Sequence, residues 1–220
     1  MNPLWYIVCC CSFNYLLYPI TNLFFQWKYT KFKEYNIERQ NYIVKNYIKY
    51  NILKYISIST IPFNFLVLFN IGDHSNYMHF IGALYVSSDT IALIKNMPLS
   101  KSTIIHHSIT TILCIINTAL NWDKANAISK LLALYCVLSC YSYNVNYCLG
   151  MRFLLSQEEQ KKIKENAKQT YLLTCFINWS IHFIYLYNYI HQINIYGIIY
   201  YCLICFIAYD DILLLNWLNT

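Results

Sequence analysis

Long apolar stretches recur along the chain and alternate with short polar segments. Stretches of 18 or more mainly apolar residues lie at 4–25, 52–71, 77–94, 103–120, 131–151, 170–190 and 193–215. About 20 such residues in a helix cross the hydrocarbon core of a bilayer. The pattern therefore predicts an all-α fold, a multi-pass transmembrane bundle of about seven helices.

The amino-acid composition also indicates a membrane protein. Hydrophobic residues make up 58% of the 220 residues and charged residues only 12%, whereas soluble domains carry about 25% charged residues. One water-soluble core cannot bury so many apolar side chains, so a monomeric soluble enzyme is excluded. The four glycines and four prolines exclude a collagen-like or flexible low-complexity chain. Since no linker or repeat divides the sequence, we expect one domain over residues 1–220.

The basic residues predict the orientation of the bundle, because cytoplasmic loops of membrane proteins are rich in Lys and Arg. The segments 26–54, 95–102 and 152–169 hold fourteen of the sixteen Lys and Arg residues, and Lys124 and Lys130 fall on the opposite side. We therefore expect a lumenal or extracellular N-terminus and a cytosolic C-terminus.

Three segments can be assigned a location relative to the membrane from their sequence. The first apolar stretch, 4–25, is too long for a signal-peptide core and is followed by lysines, so it is interpreted as a retained anchor. The segment 26–51 is interpreted as a helix at the membrane interface, with its lysines attracted to anionic headgroups. The segment 156–168 is interpreted as a solvated helix or a flexible connector.

The ten cysteines lie in apolar stretches, where Cys behaves as a small hydrophobic residue, and no disulfide framework is expected. Cys202 and Cys205 form a CxxC pair, but no second pair lies at zinc-site spacing, so we expect no metal. The run of three cysteines at 9–11 is interpreted as helix filler, with palmitoylation as the alternative.

Ionisable side chains inside the predicted spans are the candidate functional residues, because each costs about 2.5–3.5 kcal/mol to insert into a membrane. They are Asp89, His106, His107, His182, Asp210 and Asp211, with Asn144 as a polar companion. The predicted orientation places all but His182 in the cytosolic third of the membrane. Imidazole titrates near neutral pH, so His106 or His107 is a candidate general base or acid, oriented by Asp89. Because adjacent helical residues point about 100° apart, we expect at most one of these histidines to face any one centre.

Each candidate also has a structural interpretation. The histidine pair would sit among headgroups and water, and Asp89 would accept a hydrogen bond from a neighbouring helix. Asp210 and Asp211 would snorkel to the cytosolic boundary. His182 would form a hydrogen bond between helices. On this interpretation the protein is a passive membrane interaction partner whose polar groups only hold helices together.

The order of these residues resembles a known family. Tyr85-Val-Ser-Ser-Asp89, followed after a short basic loop by His106-His107, is similar to the TLC domain of translocating-chain-associating, longevity-assurance and ceroid-lipofuscinosis proteins. In that domain a tyrosine stands four residues before an aspartate in one helix, and one or two histidines open the next. The resemblance covers residues 30–218 and is nearest to the small TLC-domain transmembrane proteins.

A later segment extends this resemblance. The run 137–147 (VLSCYSYNVNY) aligns without gaps to the family pattern E-L-S-x-P-F-x-N-x-R-W, and Asn216-Trp217 resembles the pattern of the family's last helix. The aligned run keeps Leu138, Ser139 and Asn144 but replaces the family's glutamate, proline and arginine with Val137, Tyr141 and Asn146. The H-D-x-x-D segment of ceramide synthases is missing from this sequence.

The resemblance implies a six-helix TLC-like barrel plus one helix, in an endomembrane such as the endoplasmic reticulum. It implies a lipid site with His106, His107 and Asp89 as candidate catalytic residues. The polar lining expected there is Tyr85, Asn144, His182, Asp210 and Asp211. The first implied function is membrane lipid homeostasis, through lipid binding, sensing or movement. The alternative is an acyl-CoA-dependent N-acyltransferase resembling ceramide synthase.

Cofactors and partners follow from the same two functions. No cofactor is expected, and acyl-CoA would be the co-substrate of the acyltransferase. Membrane lipids are the expected partners and nucleic acid is not. Both a homo-oligomer and a hetero-oligomer in the membrane are compatible with these functions.

Overall fold

The computed structural model describes residues 2–61, 75–95, 99–119, 127–192 and 195–220, and these residues are almost entirely helical. Eight α-helices follow one another in this part of the chain: α1 Leu4–Lys28, α2 Ile37–Ser59, α3 Ser75–Ile94, α4 Lys101–Ala119, α5 Ala127–Cys140, α6 Tyr143–Met151, α7 Gln157–Tyr189 and α8 Ile195–Asn219. Short 3₁₀ helices follow α1 at Thr30–Glu34 and α7 at Ile190–Gln192. The all-α prediction is confirmed.

Three of the described helices are long and apolar enough to cross a membrane. These are Leu4–Lys28, Ser75–Ile94 and the segment Gly197–Asn219 of α8, and a shorter apolar helix covers Leu131–Cys140. They agree with an integral membrane protein. The predicted bundle of seven spans stays a prediction, and part of its second span, 62–71, lies outside the described residues.

The segment 26–51, interpreted as a helix at the membrane interface, includes the first part of α2, and the residues of this helix from Ile43 onward pack inside the protein. Helix α2 begins at Ile37, where the Asn36 side chain accepts a hydrogen bond from the Arg39 amide at 3.0 Å. It then continues without a break through the predicted boundary at residue 51. Its buried face includes Ile43, Val44, Ile48, Ile52 and Ile56, together with Lys45 and Lys49. The apolar positions at helical spacing therefore pack inside the protein, and two of the lysines are buried with them.

The second polar segment, 156–168, is the first part of the continuous 33-residue helix α7. A capping box begins this helix: the Ser156 hydroxyl accepts from the Glu159 amide at 3.4 Å, and the Ser156 amide donates to Glu159 Oε2 at 2.9 Å. Hydrogen bonds from the Ser156 hydroxyl and amide hold the pKa of the Glu159 carboxyl below its ordinary value.

The predicted span 131–151 is broken in the middle. Helix α5 ends at Cys140 and α6 begins at Tyr143. At the break the Tyr141 amide donates to the Leu138 carbonyl at 3.0 Å, and the Ser142 hydroxyl donates to the Ser139 carbonyl at 2.6 Å. The tightened turn keeps the Leu138 and Ser139 carbonyl groups hydrogen-bonded across the break.

The helices form a closed ring. Going around it, α2 packs on α3, α3 on α4, α4 on α8, α8 on α7, and α7 on the broken pair α5 and α6, which returns to α2. Helix α1 lies outside the ring and packs against α2 and α3. The approach of α6 to α2 depends on Gly150, because a Cβ there would stand 3.1 Å from both the Asn46 Cβ and the Ile43 carbonyl oxygen.

Candidate functional site

A polar cavity of about 370 Å³ lies inside the ring, and all its helices contribute to the lining. Its volume falls within the range of about 300–1,000 Å³ that is typical of small-molecule sites. Leu53, Leu149, Leu213 and Leu214 form apolar parts of the wall. The charged and ionisable residues of the lining are Lys45, Lys49, His106, His107, Arg152, Asp210 and Asp211, together with several tyrosines.

Asp89 lies behind one wall of this cavity and holds two cavity residues in place. Its carboxylate is fully buried, and Oδ1 lies 2.6 Å from Lys49 Nζ and 3.1 Å from His107 Nε2. The Thr110 hydroxyl donates to Oδ2 at 3.4 Å. A buried carboxylate is strongly disfavoured unless it is paired and hydrogen-bonded, and these neighbours meet that need. Asp89 therefore joins α2, α3 and α4 at one point.

His106 faces a different acid. Its Nδ1 lies 3.0 Å from Asp210 Oδ2 on α8, a close contact without the alignment of a good hydrogen bond. Its neighbour His107 has a buried Nδ1 with no hydrogen-bond partner among the described residues. The expected divergence of adjacent residues on a helix is seen here, since each histidine has its own carboxylate.

Asp211 does not snorkel to the membrane boundary. It is 6% exposed, and it accepts hydrogen bonds from the Tyr171 hydroxyl at 2.6 Å and from the Trp179 indole at 3.2 Å. Both donors belong to α7, which supplies the hydrogen bonds that water would otherwise provide. Asp210 is only half-buried, so the two adjacent aspartates differ in their surroundings although both line the cavity.

Tyr85 and Tyr135 border the polar cavity on one side and a second, narrow cleft on the other. The cleft, of about 40 Å³, is almost wholly apolar and lies between α3, α4 and α5. The two tyrosines thus stand where the polar lining gives way to an apolar lining.

Two residues expected in the lining lie elsewhere. Asn144 is half-buried and is not part of the cavity wall, although Ser142 and Asn146 on either side of it are. His182 is buried between α7 and α8, where its ring nitrogens lie 2.8 Å from the Asn178 carbonyl oxygen and 2.9 Å from the Tyr200 hydroxyl. This geometry matches the structural interpretation of His182, a hydrogen bond between helices.

Sequence reasoning did not place the cations Lys45, Lys49 and Arg152 in the site: all three were interpreted as markers of the cytosolic side, and the two lysines also as contacts to anionic headgroups. A signal for two of them exists. Lys45 and Lys49 lie at helical spacing from Ile52 and Ile56, and all four side chains are buried on the same face of α2. A lysine on the apolar face of a helix needs an acidic partner or a ligand, and this requirement identifies Lys45 and Lys49 as candidate site residues.

Within the part of the chain that the structure describes, no three His, Cys, Asp or Glu side chains come together as a metal site. No family model, curated protein or solved structure matches this chain. The proposed function therefore rests on the geometry of the cavity.

Proposed function

We propose that this chain is a multi-pass membrane protein of lipid homeostasis, in which the cavity inside the helix ring binds a membrane lipid. The observation that carries this proposal is the cavity itself, which is lined by charged groups and leucines and is enclosed by a ring of helices. A lipid has the same two parts, a polar headgroup and apolar chains.

The outer surface of the ring supports a membrane location. Large apolar side chains point outward from several helices, and their exposed fractions are 65% for Leu23, 67% for Phe176, 70% for Phe183 and 56% for Phe206. Exposed large apolar side chains in this number are unusual on a soluble monomer and normal against lipid tails. We place the protein in the endoplasmic reticulum with a cytosolic C-terminus, on the positive-inside pattern and the TLC resemblance.

Three features of the geometry support a TLC-like barrel. Asp89 and His107, which carry the resemblance, lie 3.1 Å apart although they stand on different helices. The ring has six members when α5 and α6 count as one broken helix, and α1 is the additional helix outside. The break falls at Tyr141, the position at which the family pattern has its proline.

The acyl-CoA-dependent N-acyltransferase is the second candidate, because both histidines line the cavity and each has a carboxylate within about 3 Å. In that reaction one imidazole would take a proton from the attacking amine while the amine nitrogen bonds to the thioester carbonyl carbon. The proton would then leave with the CoA thiol. Asp210 would orient His106, and Asp89 would orient His107.

The first experiment compares the lipidomes of cells that express the wild-type chain, His106→Ala/His107→Ala, or the control His191→Ala. The same microsomes are assayed for acyl transfer from labelled acyl-CoA to a sphingoid base. We expect a shift in phospholipid composition with the wild type and with the control, and loss of the shift in the double variant. Melting temperatures of the purified proteins check that the variants are folded.

The outcomes separate the candidates. A new N-acyl product that disappears in the double variant would replace lipid homeostasis with the acyltransferase. An unchanged lipidome and no transfer, with a double variant as stable as the wild type, would remove both functions. A double variant that is less stable than the wild type would instead support a structural role for the histidines.

A further inference from the structure

We propose that Lys45 and Arg152 form a binding site for a phosphate monoester at the polar end of the cavity, so that the ligand is an anionic amphiphile. This inference rests on the proposed lipid cavity and names the class of molecule that it takes. The ligand carries its phosphate between the two cations and its apolar chain toward the leucine wall.

Lys45 is the first observation. Its side chain lies on α2, the residue is only 4% exposed, and it lines the cavity. No carboxylate lies within ion-pair distance of its ammonium group among the described residues. Four residues along the same helix, Lys49 is paired with Asp89. An ammonium that is buried without a counter-charge is costly, and an anion in the cavity would relieve that cost.

Arg152 is the second observation, and it comes from a different part of the chain. Its guanidinium carbon lies 4.7 Å from the ring centre of Phe153 and 4.9 Å from that of Trp217, which fixes the plane of the group. Its Nε is buried and has no hydrogen-bond partner in the described residues. A planar guanidinium with a free donor is suited to two-point binding of phosphate oxygens.

Both cations lie near the ring of Tyr42. Lys45 Nζ lies 5.9 Å from the centre of its ring and the Arg152 guanidinium carbon lies 6.0 Å from the same centre. Both positive charges therefore stand beside one cavity residue, although 107 positions separate them in the sequence.

The acids of the cavity do not neutralise this pair. Asp89 is held by Lys49 and His107, Asp210 stands beside His106, and Asp211 accepts from Tyr171 and Trp179. Further positive charge lies close to Arg152. Arg39 packs over the Phe153 ring at 4.8 Å, and Lys164 packs over the Trp217 ring at 5.3 Å. The local field at this end of the cavity is therefore positive.

Phosphatidic acid and long-chain acyl-CoA each carry a phosphate monoester and an apolar chain, and the same experiment distinguishes these two sources. The purified full-length chain in detergent micelles is titrated with dioleoyl phosphatidic acid, oleoyl-CoA, dioleoyl phosphatidylcholine and dioleoylglycerol. Binding is measured for the wild type, Lys45→Gln and Arg152→Gln. The control is Lys54→Gln, which removes the same charge from an exposed position of the same helix.

We expect the wild type to bind at least one of the two monoesters more tightly than it binds phosphatidylcholine or dioleoylglycerol. Lys45→Gln and Arg152→Gln should each weaken that binding about tenfold or more, since a hydrogen bond to a charged group contributes about 1.5–3 kcal/mol. Lys54→Gln should bind as the wild type does. Lys45→Arg keeps the charge and should recover most of the affinity. If Lys45→Gln does not fold, Arg152→Gln decides the outcome.

Preference for phosphatidic acid would identify a lipid headgroup as the source, and preference for oleoyl-CoA would identify the coenzyme. Equal binding of phosphatidic acid and dioleoylglycerol, unchanged in both variants, would overturn the phosphate site and leave the lipid cavity standing. Absence of binding to all four probes would overturn the phosphate site and the lipid cavity together.

Discussion

Asp89 is the residue that connects the helices around the cavity most directly. One carboxylate contacts Lys49 from α2 and both His107 and Thr110 from α4. Its sequence context, inside an apolar stretch and four residues after Tyr85, marks it as a candidate. Its main partner could not be predicted, because Lys49 lies 40 positions earlier and the basic segment around it also fits a helix at the membrane surface.

The burial of this ion pair leads to a prediction about stability. Asp89→Leu leaves the Lys49 ammonium buried without its partner and should lower the free energy of unfolding by about 3 kcal/mol or more. The double variant Lys49→Met/Asp89→Leu removes both charges and should be clearly more stable than Asp89→Leu alone. Denaturant titration in micelles measures both values. A double variant that is less stable than the single one would show that the pair is not coupled as described.

The other candidate residues show how much of the cavity lining can be predicted from the sequence. His106, His107, Tyr85, Asp210 and Asp211 line the cavity as the sequence indicates. Asn144 and His182 do not, because polarity and depth along a span do not tell which side of a helix faces the centre. That choice depends on the packing of neighbouring helices, which a single sequence does not contain.

At the scale of secondary-structure elements, apolar periodicity predicts that helices exist but does not predict the residues at which they begin and end. The capping residues Asn36 and Ser156 begin α2 and α7 well before the apolar stretches do. Since a helix continues through polar residues as long as its backbone bonds are satisfied, hydropathy alone places these starts too late. The break between α5 and α6 coincides with a run rich in Ser, Tyr and Asn at 139–147, inside a stretch that was predicted as one span.

Close contact between α6 and α2 predicts a difference between two glycine substitutions. Gly150→Ala places a methyl group against the Ile43 backbone, which cannot move aside, and should destabilise the protein by about 1–2 kcal/mol. Gly82→Ala is the comparison: its methyl group meets the Asn117 side chain, which can turn away at the cost of a long hydrogen bond to the Met78 carbonyl, whereas the Ile43 backbone cannot. Alanine also favours a helix by about 1 kcal/mol over glycine. Thermal unfolding in micelles should therefore rank Gly150→Ala well below Gly82→Ala. The reverse order would contradict the packing of these helices.

At the scale of the whole molecule, the sequence predicts an all-helical chain rich in membrane-spanning helices, and the described residues are almost entirely helical with three such helices. The expectation of a cavity came from the TLC resemblance, because a cavity arises from the closure of the ring and hydropathy does not report closure. Closure brings cations from distant parts of the sequence to one cavity, and it gives the polar groups an interior to line.

The claim that this interior holds a lipid is tested most directly by the lipid that copurifies with the protein. Asn146 lines the cavity whereas Asn144, two residues earlier on α6, does not. Asn146→Phe should fill the space and Asn144→Phe should leave it open. Native mass spectrometry of the wild type and both variants, purified in the same mild detergent, should show bound lipid in the wild type and in Asn144→Phe and a large loss in Asn146→Phe. Equal lipid occupancy in all three folded proteins, or none in the wild type, would contradict the account.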